Sequence, residues 1–130
     1  MNRVIHRRNS EAGERARQRQ EREDQASRLS DEVPSLRTLR LAIRFERGEG
    51  SVESEHTRIV VVSRAPALFH VPCSDPHCRD GGHDLTGTIM AHLRARHGTF
   101  EGSASCHGGV GAASQPCSRV LRFEAAATYA

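Results

Sequence analysis

All four cysteines of the chain, Cys73, Cys78, Cys106 and Cys117, fall in one stretch, together with five of its eight histidines. Leu, Ile, Val and Phe are sparse, aromatic residues make up 4% and Trp is absent, so any core is small. A small core needs a covalent or metal staple, and four cysteines can supply either. The N-terminal Met-Asn-Arg-Val-Ile-His-Arg-Arg carries positive charge with no apolar run behind it, unlike a secretory signal. The longest apolar run, Ile59 to Val62, is far below the ~20 residues of a membrane helix. A cytoplasmic location is therefore expected. Thiols stay reduced there, which favours metal over disulfide.

The remainder of the chain places these ligands. Residues 1–34 read as a charged N-terminal arm, a solvated helix or disordered, in which Leu29 and Val33 are the large apolar residues of the stretch from Ser10. Residues 35–130 read as the folded domain. From 36 to 47 the chain alternates, with Leu39, Leu41, Ile43 and Phe45 on one face and Thr38, Arg40, Ala42 and Arg44 on the other, the period of a half-buried strand. Gly48-Glu49-Gly50-Ser51 is turn chemistry. A second strand is expected over about 56–64, centred on the β-branched Ile59–Val62, and a short third one over Ala67–Val71. Leu85, Ile89 and Leu93 recur at helical spacing, with Asp84 placed as N-cap and Gly98 as the stop, predicting a helix over 85–97. Thr99–Ser105 makes a fourth strand, His107–Pro116 a glycine-rich mobile loop, and the alternation of Leu121, Phe123, Ala125, Ala127 and Tyr129 a fifth. The order β-β-β-α-β-β predicts an α+β domain: a small antiparallel sheet of about five strands with one helix on a face, stapled by a metal site.

Two ligand sets fit the spacing. In the first, Cys73 ends strand three, Cys106 ends strand four and Cys117 opens strand five, so a hairpin sets two thiols together and the turn Cys73-x4-Cys78 folds toward them. Four thiolates are the usual donor set of structural zinc. This arrangement, two cysteine pairs on two turns, resembles a zinc ribbon, with spacings wider than that family's CxxC knuckles. In the second, Cys73-x4-Cys78-x13-His92-x4-His97 resembles a C2H2 zinc finger, which would make the 85–97 helix a nucleic-acid reading element. The x13 gap is longer than that family's, Gly82 stands where it keeps an aromatic residue, and Cys106 and Cys117 would be left over. His77, His83 and His107 are further candidates. His83, ahead of the helix, is expected to make a hydrogen bond that orders its loop, and His107 to be exposed.

No HExxH, no H-x-E with P-C-x-x-C, and no thioredoxin-type C-x-x-C is present, so a catalytic centre is not expected. All nineteen basic residues are Arg, set against sixteen acids for a net charge of +3. Arg40, Arg44 and Arg122 share the outer sheet face if the first and last strands are neighbours, an arginine patch for a protein or nucleic-acid partner. No aromatic residues interleave them, unlike single-strand binders that stack bases. Neither a membrane nor a small-molecule substrate is indicated.

Overall fold

The computed structural model describes residues 13–14, 17–79, 81–110 and 115–130. The basic first residues of the arm, Asp80 and the middle of the glycine-rich loop lie outside the described residues. Helix α1 (17–25) is exposed along its length, as a segment without an apolar stripe must be. The short helix α2 (Leu29–Glu32) behaves differently. Leu29 is fully buried and Val33 nearly so, and both belong to the main core.

The fold is α+β. Four strands form one antiparallel sheet in the order β2 (Val52–Val60), β1 (Leu36–Glu46), β9 (Val120–Tyr129), β6 (Thr99–Ser105). The first and last strands are neighbours at its centre, paired from Leu36↔Tyr129 to Glu46↔Val120. Their alternation does what period two requires. Leu39, Leu41, Ile43, Phe45, Leu121, Phe123, Ala125 and Ala127 are buried, and the residues between them are exposed up to Phe45. Helix α3 (Thr86–Arg94) adds Ile89, Met90 and Leu93 to the same core, with Leu85 just ahead of it.

The second strand starts and stops earlier than the apolar pattern suggests. Arg47 and Gly50 close the hairpin, Gly50 N–H donating to the Arg47 carbonyl at 2.8 Å with a φ of 94° that favours glycine. That turn sets the register, pairing Glu46 with Val52 and Leu39 with Val60. Ile59 is consequently 77% exposed at the end of an edge strand. Turn geometry outweighed apolar content.

The third strand shrinks to β3 (His70–Val71) and leaves the main sheet to pair with β5 (His83–Asp84). A further small sheet joins β4 (Cys78–Arg79), β7 (Gly109–Val110) and β8 (Gln115–Pro116). The helix is shorter than 85–97. Leu85, not Asp84, is the N-cap residue, although Asp84 Oδ1 still accepts the Thr86 N–H at 3.1 Å. The stop is Arg96, at φ 59°, and not Gly98. His97 N–H donates to the His92 carbonyl and Arg96 N–H to that of Leu93, the bonds of a Schellman turn. Arg96 tolerates the left-handed position because its guanidinium lies over the Tyr129 ring at 5.5 Å and donates to the Ala130 carbonyl at 2.8 Å.

Candidate metal centre

The four cysteines converge at one end of the sheet, where each arrives on a different piece of backbone. Cys106 leaves β6 and Cys117 precedes β9. Because β6 and β9 pair down to Ser105↔Val120, with Cys106 N–H donating to the Arg119 carbonyl at 3.0 Å, these two thiols are brought to the same sheet end. Cys73 follows β3. The chain then turns at Asp75, whose carboxylate accepts the His77 N–H at 2.9 Å and whose carbonyl accepts the Cys78 N–H at 3.1 Å. This is an Asx-type turn, and it carries Cys78 back into β4, opposite Val110.

The four Sγ atoms all lie within 4.8 Å of one another. Cys73 and Cys117 are 3.8 Å apart, Cys78 and Cys106 3.6 Å. Four sulfurs at ~2.3 Å from a tetrahedral ion would be separated by about 3.8 Å, so the cluster has the size of such a cage. Cys106 and Cys117 are buried and the other two half-buried.

Backbone N–H groups already point at the sulfurs. Asp75 donates to Cys73 Sγ at 3.4 Å, Gly82 to Cys106 Sγ at 3.3 Å and Gly108 to the same sulfur at 3.4 Å. Burial works against ionising Cys106, but the Gly108 and Gly82 donors, with the neighbouring thiols, bring it below the usual range. Burial pushes the Cys73 thiol up to about 11 and raises that of Cys78 as well, and nearby thiols add to the effect. A thiol cluster crowded in this way lacks the positive charge that would ionise it together. A bound dication supplies that charge. Gly81 makes the close packing possible, since a Cβ there would strike Cys78 Sγ and come within 2.8 Å of Cys106 Sγ.

Charged groups next to the cysteines tie the cluster to the sheet. Glu53 on β2 accepts from Arg119 Nε at 2.9 Å, from Arg119 Nη2 at 3.1 Å and from the Ser74 hydroxyl at 2.7 Å. One carboxylate thus holds the residue after Cys73 and the residue two past Cys117. The Arg119 hydrogen bonds hold its pKa below the usual glutamate range. Sequence spacing carries no signal for this tie, which joins three distant segments.

The histidines divide. His92 and His97 are not part of the cluster. Their Nδ1 atoms face each other at 2.8 Å, and the His92 ring stacks on Phe100 at 4.5 Å between centroids. The C2H2 ligand set is not assembled among the described residues. His83 is fully buried, and its Nδ1–H donates to the Ala104 carbonyl at 2.8 Å, the ordering bond expected of it. Its Nε2 has no partner, and burial lowers its tendency to take a second proton. His77 and His107 are exposed.

The uncovered face of the sheet holds Arg40, Arg44 and Arg122. Arg44 stands directly opposite Arg122, and Glu46 lies between them at 3.3 Å from the first and 2.9 Å from the second. Farther along, Glu101 faces Glu124 across β6 and β9. A shallow concavity of about 710 Å³ runs over this face, lined by Ala42, Arg44, Glu101, Arg122 and Glu124 among others. Among the described residues no helix is long and apolar enough to cross a membrane. Comparison with family models, with curated proteins and with solved structures finds no match to the chain.

Proposed function

We propose that Cys73, Cys78, Cys106 and Cys117 bind one structural zinc ion in a zinc-ribbon-like site, and that the domain is a non-catalytic interaction module. The observation that carries this is the tetrahedral size of the sulfur cluster, with sulfur pairs 3.6 and 3.8 Å apart and N–H donors already directed at Cys73 and Cys106. Four thiolates in tetrahedral array suit zinc. They also fill its coordination shell, leaving no open position for a substrate or an activated water. The ion would act as a staple.

Partner binding falls to the open sheet face. Its arginines are partly neutralised by Glu46 and adjoin Glu101 and Glu124, so the face offers both signs of charge. That mixture favours a protein surface over a phosphate backbone, which calls for concentrated positive charge. Metal analysis tests the site. One zinc per chain is expected, lost in Cys106→Ser or Cys117→Ser and kept when His92 and His97 are both changed to Ala. Retention of zinc in the two Ser variants would overturn the four-thiolate reading. For the partner, affinity for a mixed-sequence duplex that falls steeply with salt would overturn the preference for protein.

A further inference from the structure

Strand β2 ends one side of the main sheet, and among the described residues no strand pairs with its outer edge. It is exposed without interruption from Ser54 to Ile59, so neither of its faces is covered there. The exposed large hydrophobic residues of the described structure, Val52, Ile59 and Val61, all lie on this strand or directly after it. The opposite edge, β6, is built differently. Its Phe100 is buried, its Ala104 carbonyl accepts from His83, and a Cβ on Gly102 would lie 3.3 Å from Thr88 of α3.

The phase of the ladder shows which backbone groups of β2 point outward. Bonded and unbonded residue pairs alternate along an antiparallel ladder. Arg47 N–H donates to the Ser51 carbonyl at 2.9 Å, which marks the adjacent Glu46↔Val52 pair as unbonded. Ala130 N–H donates to the Ser35 carbonyl at 2.7 Å, which does the same for Leu36↔Tyr129 on the other side of β1. Both bonds set one alternation. Ser54, His56, Arg58 and Val60 turn their main chain to β1, and the N–H and C=O groups of Glu55, Thr57 and Ile59 face away from the sheet.

An edge of this kind is a template for another strand. We propose that its occupant is β2 of a second copy of this chain, paired antiparallel about a two-fold axis at His56, so that two four-stranded sheets become one continuous sheet. The strand sequence, Val-Glu-Ser-Glu-His-Thr-Arg-Ile-Val, is self-complementary in that register. Glu55 faces Thr57 of the second copy, Ser54 faces Arg58, and His56 faces its counterpart. Glu55 and Thr57 both turn their main chain outward, as a bonded pair requires. Each Val52 arrives at the Ile59–Val61 end of the other copy, which covers the exposed apolar residues of both. Neighbouring registers fail on charge. An axis at Glu55 opposes two carboxylates and one at Arg58 two guanidinium groups, and like charges directly opposite are destabilising. The pairing is isologous and closes at two copies. It goes beyond the zinc reading and needs neither the metal nor a partner on the open sheet face.

Sedimentation equilibrium of the full chain in reductant, over a wide range of concentration, tests the pairing. The mass should rise from that of one chain to that of two and no further. Ile59 is exposed, so Ile59→Lys charges the edge without touching the core and should leave a monomer throughout. Thr57→Pro removes an outward N–H, spares the β1 ladder and should do the same. Ile59→Lys decides alone if Thr57→Pro disturbs the fold. Ser103→Lys, on β6, should dimerise as the parent does. Amide exchange reads the register: Glu55, Thr57 and Ile59 should be protected in the dimer and lose protection on dilution, while His56 and Arg58 keep theirs. A monomer at every concentration, an assembly larger than two, a dimer retained in Ile59→Lys or in a folded Thr57→Pro, or a dimer lost in Ser103→Lys would each overturn the proposal. So would protection of Glu55, Thr57 and Ile59 in the monomer, which would show that another part of the same chain covers the edge.

Discussion

The two ends of this domain are held together by different forces. Around the middle of β1 and β9 the chain buries Leu39, Leu41, Ile43, Phe123, Ala125 and Ala127 against Ile89 and Leu93. Strands there are long and their side chains alternate cleanly, so apolar burial and ladder hydrogen bonds suffice. The cysteine end has two-residue strands, glycines at 81, 82, 108 and 109, and Val71, Cys106 and Cys117 as its few buried apolar residues. Little apolar surface is hidden there, and the ordering entropy of turns and loops is not offset by burial. One end folds by its sequence pattern and the other, on the proposed reading, by the ion its sulfurs would hold.

The sharpest way to break this contrast is to remove the metal. If zinc occupies the cage as proposed, its binding to four thiolates is worth roughly 10 kcal/mol or more near neutral pH. Chelation should abolish amide-exchange protection in 70–84 and 106–119 while β1 and β9 stay protected. Simultaneous loss at both ends would mean that the two are one cooperative unit. The binding reaction should also release protons at pH 7, because the Cys73 thiol stands at about 11 without metal and that of Cys78 is raised too. Affinity therefore falls as pH falls. Calorimetry in buffers of different ionisation enthalpy reads the proton count.

The opposite test truncates the sheet core. Leu41 is 1% exposed, in the middle of β1 opposite Ala125 and Arg58. Leu41→Ala should cost about 2–5 kcal/mol of global stability in denaturant melts, with zinc stoichiometry unchanged. A smaller effect is expected from Gly81→Ala, whose new methyl meets the Cys78 and Cys106 sulfurs. Overpacking of this kind costs about 1–3 kcal/mol, and here it should appear as weaker metal binding in a competition assay with the β1–β9 melt unmoved. A Gly81→Ala chain that binds metal as the parent does would show that the cage can expand.

How far each end was legible from residues alone follows the same division. The β1 and β9 faces and the placing of Cys73, Cys106 and Cys117 at strand ends are readable, because period-two alternation marks a strand and its limits, whereas the pairing of β1 with β9 appears only in the fold. β2 ends at Val60, earlier than Ile59–Val62 suggests, because the turn at Arg47–Ser51 sets its register; Ile59 and Val61 are left exposed while Val60 and Val62 pack partly against the core. Arg96 as helix stop was hidden because its left-handed backbone is supported by Tyr129 and Ala130, residues more than thirty positions away. The same holds for the clamp from Glu53 to Arg119 and Ser74. Contacts across such separations exist only after folding, and residue spacing has no signature for them.

That clamp offers the finest test of how the two ends are joined. Glu53 sits on the sheet hairpin, and its carboxylate holds Arg119 in a two-pronged ion pair while accepting from Ser74. Its pKa is held below the usual glutamate range, first by the Arg119 hydrogen bonds. A carboxylate depressed in the folded state contributes stability above its unfolded pKa and loses that contribution as pH falls through the folded pKa. Glu53→Gln should therefore be less stable than the parent at neutral pH, with the gap closing on acidification below the glutamate range. A partly exposed pair is screened by solvent, so the gap is the smallest of the effects considered. Its location is the informative part. Amide exchange in Glu53→Gln should quicken at Ser74 and Arg119 and leave Leu41 and Ile43 unchanged. Equal quickening in the centre of β1 would show that the cysteine end and the sheet are coupled through the core instead of through this single carboxylate.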